Sequence, residues 1–187
     1  MKEIIDEAVR VLKAGGVILY PTDTVWGLGC DATNPEAVAK VFAIKKRSEA
    51  KSLVVLACDL DMVALHIREI PSIAIDLVEV NDAPMTIVYP GAQGLAPEVV
   101  AEDGSVGIRI PHHEFCEALI RRLRRPLVST SANISGEPSP ASFREIAPEI
   151  LEAVDWTAPR RFEAGATGRP SQIIKLGLRG EVEIIRP

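Results

Sequence analysis

Apolar residues recur at Ile4, Ile5, Ala8, Val9 and Leu12 with charges between them, the spacing of one helix face, and Gly15-Gly16 supplies a stop. Val17 to Tyr20 is a short apolar run closed by Pro21, which predicts a buried strand delivering the polar, glycine-rich loop Thr22, Asp23, Thr24, Gly27 and Gly29. Asn34 before Pro35 makes an N-cap and first-turn pair for a second helix. Its stripe of Ala37, Val38, Val41, Phe42 and Ile44 runs into the basic cluster Lys45, Lys46 and Arg47. Ser52 to Ala57 reads as a buried strand, Asp59 caps a short helix through His66, and Pro71 or Ser72 opens another toward Val80.

Thr86 to Tyr89 and Ser105 to Ile110 read as strands joined by a loop rich in glycine and proline. His113 to Arg122 carries the helical stripe Cys116, Leu119, Ile120 and Leu123. Pro126 to Thr130 is a strand running into Ser131-Ala132-Asn133. Ser142 with Glu145 has the form of a capping box for a helix interrupted at Pro148, and Ser171 to Leu176 and Glu181 to Ile185 close the pattern as strands. Strands and helices interleave without a strict βαβ rhythm. The expectation is therefore an α/β fold with a mixed parallel and antiparallel sheet and flanking helices, not a doubly wound parallel one.

The 187 residues suit a single domain spanning 1–187. With 47% apolar and 25% charged residues, the chain fits neither the disordered nor the membrane-embedded class. Its 21 Lys plus Arg against 26 Asp plus Glu give a net charge of -5, so any anion-binding surface must be local. No membrane span is expected. Glu3, Asp6 and Glu7 stand where a secretory signal would be apolar, which predicts a cytoplasmic protein. Cys30, Cys58 and Cys116, odd in number and far apart, are expected to be reduced packing residues.

Gly27-Leu28-Gly29-Cys30-Asp31-Ala32 matches a loose dinucleotide fingerprint, but it does not lie directly between a strand and the helix it opens; a glycine turn is the expectation. His112, His113, Glu114 and Cys116 are metal-ligand types. Adjacent residues point in different directions, so a helix start is preferred and no protein metal site is expected. Ser135-Gly136 lacks the first glycine of a nucleophile elbow. What remains is a set of short hydroxyl and amide side chains at strand ends, Thr22, Thr24, Ser129 to Asn133 and Ser171, in company with Lys45, Lys46, Arg47 and Lys51. Such donors suit an anionic small molecule, above all a nucleotide.

At these segments the chain resembles the YrdC-like family of threonylcarbamoyl-adenylate synthases. Tyr20-Pro21-Thr22-Asp23-Thr24-Val25-Trp26-Gly27-Leu28-Gly29 is similar to its opening motif, with Trp26 where Tyr is usual. Ile44-Lys45-Lys46-Arg47 resembles its Lys-x-Arg element, and Ser129 to Gly136 its Ser-x-Asn element. Val106 to Pro111, Arg169 to Ile174 and Ile184-Ile185-Arg186 match three further blocks in family order.

The resemblance implies a YrdC-like twisted sheet with a concave, positively charged cavity. It also implies a nucleotidyltransferase that joins L-threonine, bicarbonate or CO2, and ATP with Mg2+ into threonylcarbamoyl-adenylate and pyrophosphate. The product would pass to a separate transferase complex that modifies tRNA, with at most weak tRNA contact by this chain itself. The additional C-terminal domain of longer relatives is expected to be absent. By family position Lys45, Arg47, Ser131 and Asn133 form the catalytic elements. Arg47, Lys51, Ser105, Ser131, Ser139 and Arg186 would surround ATP, with Lys45 and Asn133 helping to hold the phosphates. Thr24, Arg109, Ser129 and Ser171 would hold threonine, Arg109 through its carboxylate.

The chain departs from the family pattern at Leu56, where His is common, at Ser48, where Pro is usual, and at Gln172, where Thr is frequent. For Leu56 two readings stand: loss of a threonine contact, to be made good by a neighbouring hydroxyl such as Thr22 or a bound water or else felt as weaker threonine binding, or a core residue facing away from the cavity. Two other functions compete. An RNA-binding module would use Lys45 to Lys51 and the run Arg121, Arg122, Arg124 and Arg125, although 4% aromatic residues offer few stacking platforms. A carbamoyl-adenylate enzyme using another carbamoyl donor, as in hydrogenase maturation, would be expected to carry further segments.

Overall fold

The computed structural model describes residues 1–47 and 53–187. Nine strands form one sheet in the order β7-β1-β2-β6-β3-β5-β4-β8-β9. They are β1 (Ile18–Tyr20), β2 (Gly27–Gly29), β3 (Val54–Leu56), β4 (Met85–Tyr89), β5 (Val106–Arg109), β6 (Leu127–Ser131), β7 (Trp156–Thr157), β8 (Gln172–Leu176) and β9 (Val182–Arg186). The pairs β1/β7, β3/β5 and β4/β8 are parallel; β1/β2, β2/β6, β3/β6, β4/β5 and β8/β9 are antiparallel. The mixed sheet expected from the sequence is therefore the observed one.

The helices form where periodicity and caps agree. In α1 (Lys2–Lys13) the buried face is Ile5, Ala8, Val9 and Leu12, and the chain leaves it through Gly15 at φ +82°, a conformation that suits glycine. Asn34 caps α2 (Pro35–Lys45), accepting from the amides of Glu36 and Ala37. Asp59 accepts from the Met62 amide to start α3 (Leu60–His66), and α4 runs Ser72–Val80. His113 is the N-cap of α5 (Glu114–Leu123): Nδ1 accepts from the Cys116 amide, so Nε2 carries the proton donated to the Phe162 carbonyl. The preferred helix start at His113 is the observed one, with both ring nitrogens engaged. α1 packs on α5, and α2 on α6 (Pro148–Ala153).

Three expectations need correction. Gly27 to Gly29 is not a turn but strand β2, and a Cβ at Gly29 would lie 2.5 Å from the Tyr20 ring and 2.6 Å from the Val128 carbonyl oxygen. Glycine is needed because an aromatic ring lies on the strand. Pro148 does not interrupt a helix; it occupies the first turn of α6, where its missing N–H costs nothing, while Ser142 precedes only a single 3-10 turn and makes no capping bond. The two-residue strand β7 has no sequence pattern of its own; its Trp156 stacks on Phe115.

Cys30, Cys58 and Cys116 are free and buried, and burial raises each thiol above its ordinary pKa, so none is an activated thiolate. Among the described residues no helix is long and apolar enough to cross a membrane.

Candidate active site

On one face of the sheet a cavity of about 200 Å³ opens where several strand ends converge. Ser129 and Ser131 of β6 lie across from Val54 of β3 and Gly27 of β2, so these positions share one face. Gly27 keeps that face open: a side chain there would begin 3.3 Å from the Ser129 hydroxyl. Arg109 ends β5, Ser171 precedes β8, and Arg186 lies beside it because β9 pairs with β8 at Ile173. Thr24, Arg47, Thr130 and Ser139 complete the polar lining. Of the expected site residues, the structure thus brings together Thr24, Arg47, Arg109, Ser129, Ser131, Ser139, Ser171 and Arg186.

Of the other four, three lie elsewhere and one cannot be placed. Lys51, like Ser48 and Ser52, is outside the described residues. Ser105 is 5% exposed and donates its hydroxyl to Asp103 at 2.5 Å; it is not part of the cavity wall. Lys45 and Asn133 stand behind the wall. The Lys45 ammonium, 4% exposed, donates to the Ser131 carbonyl at 2.7 Å and to the Asn133 carbonyl and Oδ1 at 3.0 Å each. Asn133 Oδ1 also accepts from the Ser131 hydroxyl, and its Nδ2 donates to the Glu137 carbonyl. The Ser135 amide donates to the Lys45 carbonyl, tying the same loop to the end of α2. All three Lys45 protons are used within the protein, where they clamp the loop that carries Ser131. Burial, with the neighbouring Arg47 charge, lowers Lys45 to about 8.

The three arginines of the cavity differ in their company. Arg109 is 3% exposed and ion-paired with Asp23, whose other oxygen accepts from the His112 amide. Arg47 and Arg186 make no ion pair among the described residues. Arg47 lies over the Phe42 ring, its guanidinium carbon 5.8 Å from the centroid, and Arg186 Nε donates to the Ser171 carbonyl. Burial lowers both from the ordinary arginine value, a range in which each stays charged at neutral pH.

Hydroxyl protons can be followed. Thr22 donates to the Val25 carbonyl at 2.7 Å, so in the 2.9 Å contact between Thr22 and Thr24 the donor is Thr24. Arg109 Nη2 reaches Thr24 Oγ1 at 3.3 Å. Thr24 therefore offers the cavity a lone pair, not a proton. Thr22, 1% exposed with its proton in use, does not line the wall and is no substitute partner for a ligand.

Leu56 sits across from Arg109 and Leu127 in register, on the same strand face as Val54, yet it is fully buried and the cavity wall does not include it. It is a core residue at the edge of the site. Sequence reasoning missed Asp23, which anchors Arg109, and Thr86, whose hydroxyl lies 2.7 Å from that of Ser171. Asp23 was in view inside the opening motif, whereas Thr86 in the apolar run Met85 to Tyr89 carries no signal beyond that of a strand.

The sequence matches the Sua5/YciO/YrdC family model, described as "Telomere recombination", over residues 10–187. The chain belongs to the Sua5/YciO/YrdC family. It is 35% identical over 177 residues to the threonylcarbamoyl-AMP synthase of Stenotrophomonas maltophilia, covering 92% of this chain and 94% of that one. Among solved structures it superposes on the H234A/Y235A form of P. abyssi Sua5 with a TM-score of 0.86 at 28% identity, covering 98% of this chain and 56% of Sua5. P. abyssi Sua5 complexed with L-threonine gives a TM-score of 0.81 at 28% identity, over 92% of this chain and 50% of that one. The chain thus spans about half of Sua5 but nearly the whole of the curated synthase.

Proposed function

We propose that the protein condenses L-threonine, bicarbonate or CO2, and ATP into threonylcarbamoyl-adenylate with release of pyrophosphate. The observation that carries this reading is the division of charge in one cavity. Arg109, already balanced by Asp23, stands beside the hydroxyls of Thr24 and Ser171, while Arg47 and Arg186 bring positive charge with no ion-pair partner among the described residues. The first group suits the carboxylate and amine of an amino acid; the second suits a triphosphate. Names among the relatives agree: a threonylcarbamoyl-AMP synthase and a Sua5 with L-threonine bound.

The chemistry asks for little more. The threonine amine adds to CO2 and loses a proton, giving a carbamate. A carbamate oxygen then attacks the α-phosphorus as the bond to the pyrophosphate leaving group breaks. Two anions must meet, so positioning and fixed donors count for more than a protein nucleophile. The cavity lining accords with this, offering Ser and Thr hydroxyls and arginines, with no Cys, His, Lys, Asp or Glu among the described residues. Arg47 and Arg186 stabilise phosphate charge as it shifts to pyrophosphate, and the clamp of Lys45 on Asn133 holds Ser131 and its amide in place.

Magnesium belongs to the same proposal. Among the described residues no group of three or more His, Cys, Asp or Glu side chains could hold a metal ion, and Asp23 has both oxygens engaged. This wall fits a magnesium held by phosphate oxygens and water, with Ser131 and Ser139 as the neighbouring hydroxyls. Such an ion would offset phosphate charge. A cytoplasmic location and hand-over of the product to a separate tRNA-modifying transferase complete the reading.

The RNA-module reading loses support: Arg121, Arg122 and Arg125 are ion-paired with Asp59, Asp6 and Asp31, and Lys46 with Glu149. Labelled bicarbonate and labelled threonine supplied together with ATP should enter one adenylate product. Label from neither, or an adenylate product formed only when carbamoyl phosphate replaces both, would reject the proposal.

A further inference from the structure

Ser171 lines the cavity, and its hydroxyl lies 2.7 Å from that of Thr86. Thr86 lies on β4 directly across from Arg109, is 1% exposed, and does not reach the cavity wall. Each hydroxyl carries one proton and two lone pairs. Among the described residues Ser171 is the one hydrogen-bond partner of the Thr86 side chain. Were Ser171 the donor, the Thr86 proton would be buried with no acceptor, an arrangement proteins avoid. With Thr86 as donor, both groups are satisfied and the Ser171 proton is left to point into the cavity.

We infer that Thr86 is a positioning residue that makes Ser171 a hydrogen-bond donor to the carboxylate of the amino-acid substrate. This rests on the reading of the cavity given above and deepens it. Arg109 and Ser171 then form a donor pair, both adjoining Thr86, one by strand register and one by hydrogen bond. Thr24, beside Arg109, presents its remaining lone pair as an acceptor, its proton being held by Thr22. The amino-acid half of the site thereby distinguishes the two ends of its ligand: anionic oxygens meet donors, and N–H meets a lone pair. The buried threonines that do not touch ligand, Thr22 and Thr86, set these two polarities.

The test compares Thr86→Val, Thr86→Ser and Ser171→Ala, with the Thr86→Val/Ser171→Ala double variant, by threonine KM at saturating ATP and bicarbonate and by ATP KM. Thr86→Val should raise threonine KM roughly three- to tenfold and leave ATP KM unchanged, Thr86→Ser should behave as the wild type, and Thr86→Val should add nothing once Ser171 is Ala. A lowered Tm with unchanged threonine KM, or fully additive effects in the double variant, would overturn the inference. Should Thr86→Val fail to fold, Thr86→Cys keeps the volume with a weak donor, and the same comparison decides. Calorimetric binding of threonine without turnover reads the contact separately. Threonine binding that Thr86→Val weakens, in a protein showing no threonine-dependent pyrophosphate release, would sink the proposed reaction and leave the contact standing; no threonine binding by the wild type would overturn the contact itself.

Discussion

Lys45 holds Asn133 twice, at the carbonyl oxygen and at Oδ1, each at 3.0 Å, and reaches the Ser131 carbonyl at 2.7 Å with its third proton. A cation beside the cavity is thus committed to the loop that shapes it. Replacing Lys45 with Ala would take this donor from two carbonyls and leave the Asn133 amide oxygen to the Ser131 hydroxyl alone. Turnover should fall more than tenfold, about 1.4 kcal/mol or more of barrier. Near-normal turnover in a folded Lys45→Ala protein would show that the clamp is dispensable.

The same residue gives a pH signature. Lys45 is lowered to about 8, so above that pH it loses one of the three protons that fill three acceptors. Turnover should therefore decline as pH rises through about 8. For stability the sign is opposite: with a folded pKa below the ordinary 10.5, the unfolded chain binds the proton more tightly between about 8 and 10.5, so this residue makes the fold more stable as pH rises across that window. Lys45→Arg, charged throughout, should flatten the alkaline limb of the turnover profile. An unchanged limb in that variant would assign the decline to another group.

Asp23→Asn should separate the two halves of the site. The amide cannot balance Arg109, so threonine KM should rise at least severalfold while ATP KM holds, and Tm should fall because a buried charge loses its partner, a loss of about 3 kcal/mol or more. Arg47→Ala and Arg186→Ala should do the reverse, raising ATP KM about tenfold with little change for threonine. Equal shifts in both constants for all three variants would contradict the division of charge.

Much of this site was legible in the sequence because its residues lie at strand ends, and strand ends are where apolar runs give way to short polar side chains. Thr24, Ser129, Ser131 and Ser171 could each be found that way, Arg47 stood in the basic cluster beside them, and the motif resemblance added Arg109, Ser139 and Arg186. What sequence could not supply was direction. Lys45 and Arg47, two residues apart at the end of α2, read as one basic cluster, yet one turns back into the loop and the other lines the cavity. Gly27 and Gly29 read as a turn because what crowds them, the Ser129 hydroxyl and the Tyr20 ring, comes from neighbouring strands. Thr86 was hidden in a run that any strand would show, since its partner is 85 residues away.

Leu56 tests how far family position can be carried. Fully buried across from Arg109 and Leu127, it is placed as core, so Leu56→His should lower stability by about 1–3 kcal/mol without tightening threonine binding. A lower threonine KM in that variant would instead put position 56 in the binding site.

The most direct test of the account is pyrophosphate release by the purified protein given threonine, bicarbonate, ATP and magnesium together, and with each left out in turn. The account predicts release that needs both threonine and bicarbonate. Release that persists without either one, or none with all four present, would contradict it.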